Sequence, residues 1–327
     1  MKGKTTMLLI VMLALSMPAA FSKNDNFGVD YIFEPYQDGC GEWMIKDTFV
    51  LNEPGAPLVP YKAASILLPE GAVLKDVKVK HGKPIIQKGF DLPWGQPPCT
   101  YSDTPITVGK NEKIYGSDNL YPNKMFEVVG VEYCKGDAIL NVHLFPVQYQ
   151  AKSGTVHFYE KLTVEVQFGK DMKNKMSRGL RSDKTNIAGI VDNPEVLGTY
   201  EEGGSILANE EYIIITNDTL QSTFQTLANH KASYVNGATV YTVSWISSNY
   251  SGTDTQMKIR NFIIDKYTNN GTNYVLLGGD TGVVPYRGFY ASTGGYTDTD
   301  MAADMYYAHL DGTFNADGDS YYGETSD

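Results

Sequence analysis

Three apolar runs near the end of the chain, separated by two stretches of another rhythm, leave few folds open. "EYIIIT", "ATVYTVS" and "YVLLGGD" read as strands, the first of them continuously apolar. Between the first two, Leu220, Phe224, Leu227 and Ala228 recur at helical spacing. Between the second and third, Met257, Ile259, Phe262, Ile263 and Tyr267 do the same. Strands joined through helices lie parallel, with right-handed crossovers. Asp218 with Gln221, and Thr253 with Gln256, have the spacing of capping boxes and predict the two helix starts. Gly237 and the "NNG" ending at Gly271 predict the two ends. The third run closes on Gly278, Gly279 and Asp280, at the carboxyl edge where open parallel sheets bind ligands. Two glycines let the backbone pass close to a neighbour. Asp280 either accepts hydrogen bonds within a turn or faces a pocket. No GxGxxG or GKS/GKT accompanies them, which excludes a phosphate loop.

The first half keeps a different period. Residues 23 to 170 alternate, as in "AASILLPEGAVLKDVKVK" and "GDAILNVHLFPVQYQ". In "GTVHFYEKLTVEVQF" the apolar side chains Val156, Phe158, Leu162, Val164 and Val166 fall on even positions, and Phe168 continues them. A period of two marks strands with one buried face. The expectation is an antiparallel, sandwich-like β domain that closes its own core by about residue 175. Residues 171 to 209 are polar, basic at first and then acidic and glycine-rich, and read as a linker. Arg178 and Arg181 stand in it as exposed basic sites of the kind proteases cut; an ordinary spacer is the alternative.

Residues 1 to 22 resemble a secretory signal. Lys2 and Lys4 precede a short apolar core from Met7 to Leu15, Pro18 breaks it, and Ala20 and Ser22 flank Phe21. The segment is too short and wrongly flanked for a membrane span, and a disordered tail is the alternative. The net charge of -11 disfavours nucleic acid as a partner. Cys40, Cys99 and Cys134 are the three cysteines. They allow at most one bridge, and their spacings do not suggest zinc.

Five blocks carry a family resemblance: "EPGAPLVPYKAASILLPEGAVLKDVKV", "FPVQYQAKSGTVHFYEKLTVEVQF", "EYIIITNDTLQSTFQTLANHKASYVNGATVYTV", "KIRNFIIDKYTNNGTNYVLLGGDTGVVPYR" and "ADMYYAHLDGTFNADGDSYYGE". In order and spacing, over nearly all of residues 45 to 327, the chain resembles the gingipain family of secreted cysteine peptidases. The resemblance implies a β-sandwich-like propeptide over 23–170, a linker with a processing site over 171–209, and an incomplete α/β/α caspase-like (Rossmann-like) peptidase domain over 210–327. It implies hydrolysis of peptide bonds by a histidine and a cysteine thiolate through an acyl-enzyme, without a cofactor. It also implies contact between propeptide and catalytic unit, with secretion or display at the cell surface.

The family's histidine lies in a Gly-His-Gly setting and its cysteine follows the next strand. Both are expected beyond Asp327, so no catalytic residue is assigned here. Of the histidines, His81, His143 and His157 fall in the propeptide-like part, and His230 and His309 read as structural. In the family, the aspartate matching Asp304 lies near the substrate pocket, where it meets a basic side chain or merely caps the local turn. Asp298 and Asp300 are acidic neighbours that either contribute or face solvent. "DGTFNADGDSYYGE" offers Asp311, Asn315, Asp317, Asp319 and Glu324 as hard oxygen donors. With Thr313 as position one, Asn315, Asp317, Gly318 and Glu324 take positions three, five, six and twelve of an EF-hand-like loop. Structural Ca²⁺ on Asn315, Asp317, Asp319 and Glu324 is expected, since family members bind it; a solvated acidic turn is the alternative. Two rivals remain to the peptidase reading: a secreted binding or adhesion protein, and a propeptide-like inhibitor or chaperone.

Overall fold

The computed structural model describes residues 25–37, 43–99, 104–170, 176–201, 209–293, 296–324 and 327. The signal-like segment, Cys40 and both ends of the linker lie outside the described residues. In the first half, β1 (Asn26–Ile32), β2 (Pro35–Gln37), β3 (Trp43–Ile45), β4 (Phe49–Leu51), β5 (Val59–Leu67), β6 (Ala72–His81) and β7 (Ile85–Lys88) come first. A one-turn helix, α1 (Glu112–Tyr115), precedes β8 (Phe126–Cys134), β9 (Asp137–Leu144), β10 (Val147–Gln150), β11 (Thr155–Phe158) and β12 (Lys161–Lys170). The pairings β1-β12-β6, β4-β5-β9-β8, β10-β11-β7 and β2-β3 are all antiparallel. Period-two burial is the cause. Leu162, Val164 and Val166 of β12 are fully buried against Ala64 and Ile66 of β5 and Leu140, Val142 and Leu144 of β9.

That core is not the whole of it. β5 and β9 are buried on their other face too, and the cover comes from the segment read as a linker. Helix α2 (Arg181–Ala188) and a 3-10 turn (Pro194–Thr199) place Ile187, Val191, Val196 and Tyr200 against Leu67 and Ile139. Asp192 and Asn193 run beside β5 like a short strand. The Ser65 N–H donates to Asp192 Oδ2 at 2.9 Å, and the Asp192 N–H donates to the Ser65 carbonyl at 2.8 Å. The strands do form a core of their own between Tyr31 and Phe168, but a second apolar face, at Leu67 and Ile139, is covered only by residues 187–200. One expectation is corrected outright: Arg178 is not exposed, and its side chain has no accessible surface.

In the second half β13 (Tyr212–Thr216), α3 (Gln221–Lys231), β14 (Ala238–Thr242), α4 (Val243–Asn249), α5 (Thr255–Asn270) and β15 (Tyr274–Leu277) follow one another. The sheet order is β14-β13-β15, parallel throughout. β13 is apolar at Ile213, Ile214 and Ile215 in succession because both its faces are covered. Ile213 and Ile215 pack with Ile246 of α4 and Ile259, Phe262 and Ile263 of α5, while Ile214 packs with Ala228 of α3. A hairpin, β16 (Arg287–Thr293) and β17 (Tyr296–Ala303), and a short α6 (Met305–Ala308) complete the described part. No described helix is long and apolar enough to cross a membrane.

Both capping boxes are displaced. α3 has Leu220 at its cap with no side-chain bond; Asn217 Oδ1 accepts the Leu220 N–H at 2.9 Å, and Asp218 turns instead to Ser244. α5 is capped by Asp254, which accepts the Met257 N–H at 2.8 Å, while Thr253 contacts the Met257 sulfur. Gly237, at φ +87°, leads into β14 after α3 has already ended at Lys231.

Candidate functional site

The carboxyl edge of the parallel sheet is built from the ends of β13, β14 and β15. Thr216 Oγ1 donates to the Gly278 carbonyl at 2.6 Å, tying two strand ends together. A Cβ on Gly278 would lie 2.9 Å from the Phe224 ring, so glycine lets α3 seat against the strand. Gly279 has φ +140°, and a Cβ there would lie 2.5 Å from Val283. Asp280 is a turn residue: Oδ1 accepts the Gly282 N–H at 3.0 Å, and its carbonyl accepts those of Val283 and Val284. Beside β14 the edge opens into a cavity of about 640 Å³, whose lining includes Asp218, Gln221, Ser244 and Trp245. Asp218 Oδ1 accepts the Ser244 hydroxyl at 2.9 Å, so this carboxylate is already engaged.

Beyond β15 the chain is fixed by two arginines that sequence reasoning passed over. Arg287 forks onto Asp254 at 2.9 and 2.8 Å and lies between the rings of Tyr306 and Tyr322, 4.6 and 4.2 Å from their centroids. Arg260 donates to the carbonyls of Tyr306, His309 and Asp311 at 2.9, 2.9 and 3.2 Å. The signal was present in the "VPYR" and "KIR" blocks, but a guanidinium in a polar context gives no hint of burial. Asp304, in the cap position of α6, is exposed and makes no side-chain cap bond. Asp300 Oδ2 accepts the Tyr286 hydroxyl at 2.9 Å, and Asp298 Oδ1 accepts the Asp300 N–H at 2.9 Å; both residues are exposed on β17.

Thiols and imidazoles are not brought to the sheet edge among the described residues. His230 is exposed on α3, edge-on to Tyr234. His309, also exposed, packs its ring on Phe314. Cys99 is exposed and Cys134 half-buried. Cys134 and His309 line one cavity of about 390 Å³, with Tyr267, Asn273 and Asp311, where the first half meets the end of α5. Burial pushes the Cys134 thiol up, Lys135 draws it back, and Asp137, Asp311 and Asp183 push it up again. The net direction is opposite to that of an activated nucleophile.

The acidic loop does converge. Carboxylate oxygens of Asp317, Asp319 and Glu324 lie within 4.8 Å of one another. Asn315 Nδ2 donates to the Asp319 carbonyl at 2.9 Å, leaving its buried Oδ1 without a partner. Slight burial and then the carboxylates of Asp319, Asp317 and Asp327 push Glu324 up from its ordinary value. The three carboxylates form an all-oxygen donor set of the kind a hard divalent cation takes, and Asn315 Oδ1 is an orphaned amide oxygen in the same loop.

An α/β sheet covered on both faces, behind an antiparallel β unit, is the architecture to which the sequence comparisons attach a family. Peptidase family C25 matches residues 206–325, and Propeptide_C25 matches residues 42–205. The chain belongs to peptidase family C25, the gingipain family of cysteine peptidases, and carries that family's propeptide. Among solved structures, it is similar to the complex of Porphyromonas gingivalis RgpB pro- and mature domains. That similarity has 15% identity over 53% of this chain and 95% of that one, with a TM-score of 0.39. It is similar also to the structure on zymogenic latency of gingipain K from Porphyromonas gingivalis, with 20% identity over 46% of this chain and 90% of that one, and a TM-score of 0.35. No curated protein matches.

Proposed function

We propose that these residues are the front portion of a secreted cysteine endopeptidase precursor. In this reading 1–22 is the secretory signal, 23–170 the propeptide, 171–209 the connecting segment where processing occurs, and 210–327 the N-terminal part of the catalytic domain. The observation that carries it is the tandem match of propeptide and peptidase to residues 42–205 and 206–325, the second spanning the whole β14-β13-β15 sheet. The thiolate would attack the peptide carbonyl, a histidine would hand its proton to the leaving amine, and water would then free the acyl-enzyme. The catalytic pair lies outside residues 1–327. Support comes from Cys134, whose thiol is pushed up rather than down, and from the absence of any described cysteine or histidine at the sheet edge. Asp304 is the substrate-facing carboxylate, a role its exposure leaves open.

Assay against mixed fluorogenic peptides, with reductant and calcium, tests this directly. Residues 1–327 give no turnover, while a chain extended through a Gly-His-Gly and a cysteine does, and iodoacetamide abolishes it. Iodoacetamide-sensitive turnover by residues 1–327 alone would overturn the assignment.

Ca²⁺ binding by Asn315, Asp317, Asp319 and Glu324 belongs to the same proposal, as a structural site that does no chemistry. It is supported by the converging carboxylates and the unpaired Asn315 Oδ1. Calorimetric titration of the chain with calcium chloride gives one binding event, which Asp317→Ala removes. Heat no greater than dilution in the native chain sinks the claim.

A further inference from the structure

The seam between the halves is not filled. Beside the end of β8 lies a cavity of about 390 Å³ with walls from both sides: Tyr133 and Cys134 from the first half, and Ile263, Tyr267, Tyr307 and Leu310 from the second. Small-molecule sites run to about 300–1,000 Å³ and are lined mainly by apolar and aromatic side chains, with a few polar groups that fix orientation. Three tyrosine rings and two aliphatic side chains suit a flat apolar molecule.

One polar atom in these walls has nothing to bond. The Tyr267 hydroxyl is buried and has no partner among the described residues. Burial pushes it up, against the pull of Arg178, so at neutral pH it keeps its proton and is a donor without an acceptor. Tyr307 shows what is missing, for its hydroxyl donates to the Pro285 carbonyl at 2.5 Å. A buried hydroxyl left unpaired costs stability, and an acceptor placed in the cavity recovers it.

The charges nearby are already engaged. Arg178 uses all its donors. Nε and Nη2 fork onto Asp183 at 2.8 Å, Nη1 donates to the carbonyls of Tyr267 and Thr272 at 3.3 and 3.1 Å, and Nη2 donates also to Asn273 Oδ1 at 2.8 Å. Lys135 reaches the same Asp183 carboxylate at 2.7 Å. An anion entering the cavity finds no free cation among these groups. The guanidinium lies 3.9 Å from the centroid of the Tyr267 ring, which opposes a second cation on that ring. The Cys134 thiol, pushed up by burial, stays uncharged at neutral pH.

We propose that the seam cavity is a binding site for a small, uncharged aromatic molecule carrying a carbonyl oxygen, as in a ketone, lactone or amide. The tyrosine rings give it apolar cover, and the Tyr267 hydroxyl donates to its oxygen. Binding is reversible and involves no covalent step. Because the walls come from both halves, the bound molecule favours their joined state over the separated one by mass action. The site stands without the precursor reading, which gives it only a consequence: such a molecule would steady a propeptide on its enzyme.

The probe is 2-acetylnaphthalene, with 2-naphthoate and 2-naphthylmethylamine as its anionic and cationic counterparts at neutral pH. Each is titrated into the chain while N-ethylmaleimide labelling of Cys134 is followed by peptide mass spectrometry, with the exposed Cys99 as internal control. The ketone is expected to slow labelling of Cys134 saturably and to leave Cys99 unchanged. Its half-saturating concentration lies about tenfold below that of either charged counterpart, which must shed its hydration to enter. Tyr267→Phe removes only the hydroxyl and raises that concentration about three- to tenfold, as loss of one hydrogen bond does. It also raises the melting temperature of the free chain, because an unpaired buried group is gone; a hydroxyl that merely held the fold together would lower it. If the variant fails to fold, the three probes on the native chain decide. No saturable protection of Cys134, a charged counterpart that binds as tightly, unchanged affinity in folded Tyr267→Phe, or a lower melting temperature of that variant would each overturn the site. So would a chain extended beyond Asp327 in which Cys134 is already shielded and the ketone adds nothing, for the chain itself would then fill the space. Failure of the peptidase assignment leaves all these readings unchanged.

Discussion

Asn193 does with one side chain what a neighbouring strand would do with its backbone. Its Oδ1 accepts the Leu67 N–H at 2.7 Å and its Nδ2 donates to the Leu67 carbonyl at 2.9 Å, in a buried setting. Removing the amide leaves two buried backbone groups unpaired. At about 1–3 kcal/mol for each unsatisfied group, Asn193→Ala is expected to cost about 2–6 kcal/mol. Urea unfolding measures it; a loss below about 0.5 kcal/mol would mean that water replaces the amide. Nothing in "VDNPEVLG" announces this role, because an asparagine before a proline reads as a turn. The same limit explains the displaced caps. A capping box is recognised by residue type and spacing, and "TNDTLQ" and "SGTDTQ" each offer several acceptable acceptors within a turn. Only the backbone path chooses Asn217 over Asp218 and Asp254 over Thr253.

At the scale of elements, the strands were legible wherever burial imposed a period. β12 alternates because one face is dry, and β13 carries three isoleucines in succession because both are. Helices α3 and α5 declared themselves by their stripes. α4 did not: "VSWISSN" is seven residues with one fully buried side chain, Ile246. The hairpin of β16 and β17 was missed for the converse reason, since β17 is exposed almost throughout and shows no alternation. The largest miss was α2 and the 3-10 turn after it. Four apolar anchors spread over fourteen residues do not raise the mean hydropathy of a polar stretch. The clue lay across the interface, in β9, where Ala138, Ile139 and Leu140 run together although an alternating strand would leave Ile139 in water. Ile187 is fully buried in that contact. Ile187→Ala is expected to cost about 2–5 kcal/mol and to open residues 187–200 to proteolysis first. Limited digestion with mass spectrometry checks the order; cleavage elsewhere before this segment would count against its being held by that side chain.

For the whole molecule, acid is the natural solvent of its seams. Burial pushes the carboxyls of Asp183, Glu210 and Asp254 up, but Arg178 and Lys135, Lys266 and Tyr241, and Arg287 respectively pull each below its ordinary value. A carboxylate depressed in the folded state contributes stability that is complete above its unfolded value and lost as pH falls through the folded one. The melting temperature should therefore hold nearly level from neutrality to about pH 5 and drop as pH goes below about 4. Asp183→Asn should flatten that drop while lowering the plateau. A midpoint that falls toward neutral pH instead would place the sensitive groups among the histidines. These pairs were the least legible part of the sequence. Arg178 and Asp183, Lys266 and Glu210, and Arg287 and Asp254 are 5, 56 and 33 residues apart, and pairing at the longer distances is set by the fold alone.

The double-sided sheet also sets a timetable. Leu67 is made early, yet its cover at Ile187, Val191, Val196 and Tyr200 is made more than a hundred residues later. Synthesis runs at about 5–20 residues per second, so β5 and β9 present a wet apolar face for on the order of ten seconds. During that interval the front of the chain is a sticky nascent sheet rather than a finished unit. A handling factor that shields such faces would find its client here, before residue 200 has emerged.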